Sequence, residues 1–486
     1  MNSFLLLSSI MLPLLGGARL LIKKPAGARE RNIWCETVAV ITSVLVFILL
    51  LRGGADTVHV YTFTGSFSIN FFADGCSMLF AGMVAFMWPL VLIYAFSYME
   101  ESIHRNGFFA FYLMTYGITL GVAFAADLVT MYVFFEMLTL VTIPLVAHYQ
   151  DHDSLYAGRL YAAYTIGGAS LAFIAVIIAT VDGGSSFVYG GVLGGVFDPE
   201  LLRIAFLFGF FGFGAKAAIF PLFRWLPVAG VAPTPVTALL HAVAVVNSGV
   251  FAVMRLTWYA FGPDVIRGTY VQTVCLVTAA FTLLFGAVMA VRQRHFKRRL
   301  AYSTVSNLSY MIFGIMLLTP DGLTAGLAHM LFHGIIKITL FMCAGAFMHV
   351  TKNEYIYELN GVGRKMPWTF GFYTLGALSL TGIPLFCGFV SKLRLVLAGA
   401  AEGSTAAVMG TAALILSAFL CAIYTISVSV RAFFPVRGTE RYTGGVSDAD
   451  LRMLVPIGVF SVINVLFGLF PGPVIGFLEK IAAGLI

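Results

Sequence analysis

Apolar residues in this chain come in long unbroken blocks, without the strict alternation of a strand or the one-sided stripe of a soluble helix. Runs of about 18 or more apolar residues recur from end to end, each long enough to span a bilayer as a helix. Their centres fall near residues 12, 43, 87, 116, 138, 171, 211, 246, 280, 309, 336, 383, 420 and 465. The pattern predicts an all-α polytopic membrane protein of about fourteen transmembrane helices. The polar intervals are short: 24–34, 150–159, 183–200, 351–366 and 436–452. The glycine-rich segment DGGSSFVYGGVLGGVF reads as an outside loop or hairpin. The first run carries its positive charges after the apolar block, so it is expected to be a span and not a cleavable signal.

Composition agrees with a lipid solvent. The chain is 60% hydrophobic and 10% charged, with a mean hydropathy of +0.94, against about 25% charged residues in a soluble domain. Six cysteines are scattered through apolar stretches with no CxxC pair, which points to small core residues and gives no iron–sulfur or zinc pattern. No GxxxxGK[ST] loop is present, and the glycines of GFFGFGAK have no dinucleotide-binding context. No cofactor, metal or nucleic-acid partner is expected.

The net charge of +7 is a matter of topology. Loops after odd-numbered spans hold twenty basic residues, including the RQRHFKRR cluster, while the opposite side holds five: Arg52, Arg203, Arg255, Arg267 and Lys480. This predicts odd loops in the cytoplasm and both termini outside a plasma (inner) membrane.

Four basic residues remain inside spans: Lys216, Lys337, Lys392 and Arg394. The seventh span holds Lys216 and then Pro221; the twelfth, LTGIPLFCGFVSKLRL, has Gly382, Pro384 and Gly388 ahead of Lys392. Proline and glycine predict that both spans unwind at mid-membrane, a pointer to an ion pathway. A Lys or Glu at the bilayer centre costs on the order of 3 kcal/mol, so such residues pair, hydrate or function. Glu136 lies nine residues past Asp127, about 13.5 Å deeper along a helix. It reads either as half of a structural ion pair or as a carboxylate that pairs with Lys216 and tunes its proton. Lys216 reads either as a snorkelling lysine or as a proton carrier poised between desolvation and a carboxylate. His241 and Asn247 fall in the eighth span, and His329, His333 and Lys337 lie at i, i+4 and i+8 on one stripe of the eleventh. The stripe reads as a proton relay; a hydrogen-bond ladder and a metal pair are the alternatives, and the glutamate of an HExxH site is absent. Asp74 and Asp127 sit where helix N-caps are expected, and Arg394 at a span end as an anchor.

The segments GAKAAIFPLFRWLPVAGVAPTPVTALLHA, HMLFHGIIKITLFMCAGA, ELNGVGRKMPWTF, GIPLFCGFVSK and DLVTMYVFFEMLTL together resemble the antiporter-like membrane subunits shared by respiratory complex I, Mrp-type cation/proton antiporters and membrane-bound hydrogenases. The likeness covers roughly residues 70–400. It implies fourteen helices with two inverted five-helix repeats and a polar axis along mid-membrane. Residue by residue, it implies that Glu136 and Lys216 form the first half-channel's pair, that His241, His333 and Lys337 form the central relay, and that Lys392 is the terminal lysine of the second half-channel. Asn247 stands where several members carry lysine, and Val228 where an acidic residue is common. The chain ends shortly after the last span, without a long lateral helix, and so resembles the shorter inner or Mrp D-type subunits.

The expected organisation is residues 1–105 for helices 1–3, 106–260 and 261–435 for the two repeats, and 436–486 for helix 14. The expected function is a proton-translocating subunit, not an enzyme by itself, driven by partner membrane subunits of a complex I-like, Mrp or hydrogenase assembly. The proton path comprises Glu136, Lys216, His241, His329, His333, Lys337 and Lys392, with Asn247 and Asp127 secondary. Sodium–proton exchange is the alternative, and a stand-alone solute transporter or a scaffold with a vestigial channel are the remaining readings.

Overall fold

The computed structural model describes residues 1–64, 67–435, 442 and 444–486. Arg437, Arg441 and the side chain of His241 lie outside the described residues.

The helices follow the apolar blocks. In chain order they are α1 (Asn2–Ile22), α2 (Ala28–Leu51), α3 (Gly75–Tyr98), α4 (Arg105–Ala123), α5 (Leu128–Val146), α6 (His152–Asp182), α7 (Pro199–Gly214), the short α8 (Trp225–Val228), α9 (Thr234–Ala242) and α10 (Val245–Arg255). Then come α11 (Tyr270–Arg292), α12 (Phe296–Met316), α13 (Pro320–Thr351), α14 (Pro367–Thr381), α15 (Cys387–Glu402), α16 (Thr405–Phe433), α17 (Leu451–Leu469) and α18 (Gly472–Ala482). A hairpin of β1 (Ala55–Thr64) and β2 (Phe67–Ala73), paired antiparallel, joins α2 to α3; the sequence reading gave no strand there. Its residues alternate in polarity and are rich in aromatic and β-branched types, which suits a two-stranded ribbon at an interface.

Ten helical stretches among the described residues are long and apolar enough to cross a membrane. The other expected spans miss that mark for visible reasons. α7, α14 and α15 are cut short by chain breaks, α12 carries serines, threonines and an asparagine that face inward, and the 19-residue α4 opens on Arg105 and Asn106 and carries tyrosines and threonines. The most apolar stretch of α13 is 94% buried and that of Thr234–Phe261 wholly so, against 39% for α1, α2 and α16. α13 and α9–α10 therefore lie along the axis of the bundle, with α12, buried along nearly all its length, beside them, while α1, α2, α6 and α16 expose one side.

Capping sets where spans begin. Asp74, Asp127 and Asp151 each accept a hydrogen bond from a main-chain NH three residues on, at 2.9, 2.7 and 2.7 Å, satisfying one of the orphan donors of a helix start. Asp182 binds the following glycine-rich loop through the NH groups of Gly194, Gly195 and Phe197. All six cysteines are buried and free.

Three spans are interrupted, where the sequence predicted two. After α7 the chain turns irregularly over residues 215–224, so the break starts just ahead of Lys216 and not at Pro221. α14 ends on Gly382 (φ +97°), and α15 begins at Cys387. The unforeseen break lies at Val243–Ala244, between α9 and α10, in a stretch with neither proline nor glycine. Three basic residues assigned to loops are also inside, one of them Arg31 on α2, 5% exposed. Arg255 is fully buried at the end of α10, and Lys297 is 4% exposed at the start of α12, donating to the Ala232 carbonyl at 2.8 Å.

Candidate functional site

Lys216 is fully buried in the turn after α7. Its ammonium donates to the main-chain carbonyl of Phe135 on α5 and lies 3.5 Å from the centroid of the Phe135 ring. A carbonyl oxygen has two lone pairs and can accept the lysine in addition to its helical NH, while the ring face attracts the cation. Gly249 on α10 makes the approach possible: a Cβ there would fall 2.5 Å from the Ala217 nitrogen and 3.0 Å from the Lys216 Cβ. Glu136 is the next residue on α5. It is half-buried, one carboxylate oxygen is enclosed with no hydrogen-bond partner, and it forms no direct ion pair among the described residues. Lys216 is nonetheless close enough to act on it through space. The expected direct pair is thus a separated one, because the carbonyl before Glu136 takes the ammonium.

The α9–α10 break connects this turn to α13. Asn247 is buried, and its amide donates to the Ala242 carbonyl at 2.7 Å, one of the acceptors released by the break, leaving its own oxygen without a partner. Gly334 on α13 packs against that same Ala242 carbonyl, which would lie 3.3 Å from an added Cβ. The neighbouring His333 is fully buried, and neither ring nitrogen has a hydrogen-bond partner among the described residues. The backbone of His241 belongs to α9, on the same side of the break.

Beyond α13 the polar groups join directly. His329 and His333 stand with ring centroids 5.8 Å apart, as their spacing predicts. Lys337 donates to Ser303 Oγ at 2.7 Å and to the Leu300 carbonyl at 3.0 Å. Ser303 Oγ is 2.9 Å from the Tyr424 hydroxyl, and its carbonyl accepts the Asn307 amide at 2.7 Å. Asn307 Oδ1 lies 3.3 Å from His329 Nε2, and His329 Nδ1 lies 3.0 Å from Ser391 Oγ. The side chain of Lys392 follows, donating at 2.5 Å to the Leu380 carbonyl and lying 5.3 Å from the Tyr310 ring, which stacks on His329. Leu380 sits in the last turn of α14, so Lys392 satisfies an acceptor left open by the break in its own span. A polar path therefore runs from Lys337 to His329 and on to Ser391, beside Lys392, with one step passing through Ser303 from its hydroxyl to its main-chain carbonyl.

Ser303, Asn307, Ser391, Tyr310 and Tyr424 were not singled out from sequence. The signal was present: α12 is a span with a polar residue at almost every turn. Asp127 stands apart, held by the Thr130 hydroxyl at 3.0 Å and by Asn70 at 2.9 Å as a helix cap. Arg394 meets Glu479 at 3.1 Å and anchors α15 to α18. Asp74, besides capping α3, holds Arg255 through two hydrogen bonds of 2.6 and 2.7 Å, a buried pair that the sequence reading missed. Among the described residues no three His, Cys, Asp or Glu side chains gather as a metal site.

A helical membrane bundle whose buried axis carries a row of lysines and histidines, crossed by broken spans, defines an ion-handling polytopic protein. The chain belongs to the NADH:quinone oxidoreductase/Mrp antiporter transmembrane family, whose model matches residues 125–420. It is 30% identical to NADH-quinone oxidoreductase subunit L of Mycobacterium tuberculosis over 94% of this chain and 74% of that protein. It is 29% identical to a Na(+)/H(+) antiporter subunit of Alkalihalophilus pseudofirmus over 87% of this chain, but spans only 56% of that protein's length. The fold is shared with chains of the membrane-bound sulfane sulfur reductase, an archaeal respiratory complex (TM-score 0.85, 21% identity, 98% of this chain and 97% of that one). It is also shared with a chain of the Mrp complex from Dietzia sp. (TM-score 0.84, 22% identity, 99% and 97%).

Proposed function

We propose that this chain is a proton-translocating, antiporter-like subunit of a multisubunit membrane complex. The observation that carries the reading is the polar path from Lys337 through Ser303, Asn307 and His329 to Ser391 beside Lys392. Buried cations without carboxylate partners are costly, and they persist where they load and release protons. The proton steps from Lys216 across the α9–α10 break to His333 and Lys337, with His241 and Asn247 at the break, and then along the path to Lys392. Glu136 belongs to the face that meets a neighbouring subunit: Met137 and Leu140, which follow it on α5, are 36% and 60% exposed. The driving reaction belongs to another subunit.

In this reading the chain crosses the membrane fourteen times with both termini outside, α4–α10 and α11–α16 being inverted repeats. Lys337→Ala tests the function. Proton uptake by membrane vesicles containing the complex is expected to fall to background while native electrophoresis shows the complex assembled; uptake at the parental rate rejects the reading.

Sodium–proton exchange is a second reading, favoured by the name of the Alkalihalophilus relative. The proteins that co-purify decide between them: a redox module supports redox-driven pumping, and small hydrophobic subunits alone support exchange.

A further inference from the structure

The α1–α2 loop and the start of α4 enclose an open cavity of about 530 Å³ that the proton path does not use. Lys24, Arg31, His104 and Arg105 line it, and none of its lining residues is acidic. Arg31 is only 5% exposed, and Arg105 is near enough to repel it. Its hydrogen bonds go to the neutral oxygens of Asn32, at 3.0 Å, and Asn106, at 3.4 Å. Arg105 donates to the Glu100 main-chain carbonyl at 2.6 Å, and neither guanidinium meets a carboxylate among the described residues. The nearby Glu30 is occupied by the Ala26 NH at 2.6 Å.

Two helix starts open into the same space. Gly27 precedes α2 and His104 precedes α4, neither cap residue accepts a hydrogen bond with its side chain, and both line the cavity. Free NH groups and the positive ends of two helices thus add to four basic side chains. A second cavity of about 470 Å³ shares His104 and Gly107 with the first and continues along the mostly apolar wall of Phe108, Phe111, Pro144 and Leu155, with His148 and Gln150 at its polar side. Ile22 and Ile103, at the ends of the two loops, are 86% and 59% exposed.

We infer that the first cavity is a headgroup site for an anionic phospholipid, with the adjoining apolar cavity taking part of an acyl chain. The phosphodiester supplies the negative charge that Arg31 and Arg105 lack, and basic pockets between membrane helices recognise lipids in this way. The apolar continuation favours a lipid over free phosphate, which has nothing to place there.

The test reconstitutes the complex into nanodiscs of equal parts phosphatidylcholine and phosphatidylglycerol. The ratio of the two lipids retained after extraction into detergent is then read by mass spectrometry. Parental protein is expected to retain phosphatidylglycerol at least about fivefold more than Arg31→Gln/Arg105→Gln, and about twofold more than the rim variant Lys24→Gln. The rim variant carries the test if the double variant does not assemble. Equal retention in parent and variants overturns the proposal. Displacement of the retained lipid by inorganic phosphate assigns the cavity to the free anion and overturns the lipid assignment; insensitivity to inorganic phosphate supports it.

Discussion

The two halves of the bundle treat their buried lysines differently. Around α11–α16, Lys337 reaches the Ser303 hydroxyl, and the Ser303 carbonyl with the side chains of Asn307 and His329 carries the contact onward to Ser391. Around α4–α10, Lys216 rests on a main-chain carbonyl and a phenyl ring, Asn247 has an idle oxygen, and Glu136 an idle carboxylate oxygen. The second half strings more side-chain groups together, although its Ser303–Asn307 link runs through a main-chain carbonyl and Lys392 rests on another; the first half leaves wider gaps. The first half also holds a charge of another kind. Arg255 is neutralised by Asp74, bonded to the Ser77 hydroxyl at 2.9 Å, and ringed by Phe72, Phe187, Phe251 and Tyr259 at 4.5 to 5.2 Å. A compensated charge locks α10 to α3, whereas in the proposed function the lysines without a paired carboxylate exchange their protons.

That contrast predicts a large stability effect at Arg255. Arg255→Leu leaves Asp74 without its counter-ion and is expected to destabilise the fold by about 3 kcal/mol. Thermal unfolding of the solubilised complex would show it, and Arg255→Leu/Asp74→Asn should recover part of the loss. An unchanged unfolding temperature would place Arg255 with the lysines.

Next comes the wiring. Asn307→Leu removes the bridge between Ser303 and His329 and is expected to slow proton uptake about tenfold, near 1.4 kcal/mol on the barrier. Asn247→Leu, which faces a gap, should slow it about twofold, because no side-chain path passes through it. Equal effects would erase the distinction between the halves.

The smallest effect lies outside the membrane. His295 meets Glu354 at 3.2 Å, and its hydrogen bond holds the Glu354 carboxyl below its ordinary value. A lowered carboxyl contributes stability that is present above its unfolded value of about 4.3 and lost as the pH falls through the folded one. Glu354 is 54% exposed, so solvent screening limits the contribution to about 0.3 kcal/mol. Glu354→Gln should lower the unfolding temperature slightly at neutral pH, with the difference vanishing on acidification.

Much of this was legible in the sequence because lipid leaves so little choice. Long apolar blocks must be helices, and each buried lysine was visible as an exception to its block. The spacing of His329, His333 and Lys337 placed them on one face; the two histidine rings stand 5.8 Å apart, and His329 and Lys337 both reach side chains of α12. The Gly382–Pro384 signal located the break before Lys392, since both residues act on the backbone locally. The α9–α10 break carries no proline or glycine signal: it is stabilised by the Asn247 amide folding back onto Ala242, five residues earlier, and by packing against Gly334 of α13, a tertiary contact. Arg255 looked like a loop charge because its partner, Asp74, lies 181 residues away. Ser303 and Asn307 were passed over because neutral polar residues are common on helices, and their role appears only when α12 is laid against α13.

The central claim is that the buried lysines carry the transported proton, and Lys216 tests it where the wiring is thinnest. The measurement is the initial rate of proton uptake by everted membrane vesicles carrying assembled complex with Lys216→Ala. Uptake at background, with assembly and unfolding temperature unchanged, is the predicted result. Uptake within about twofold of the parental rate, a barrier change of only about 0.4 kcal/mol, would contradict the account.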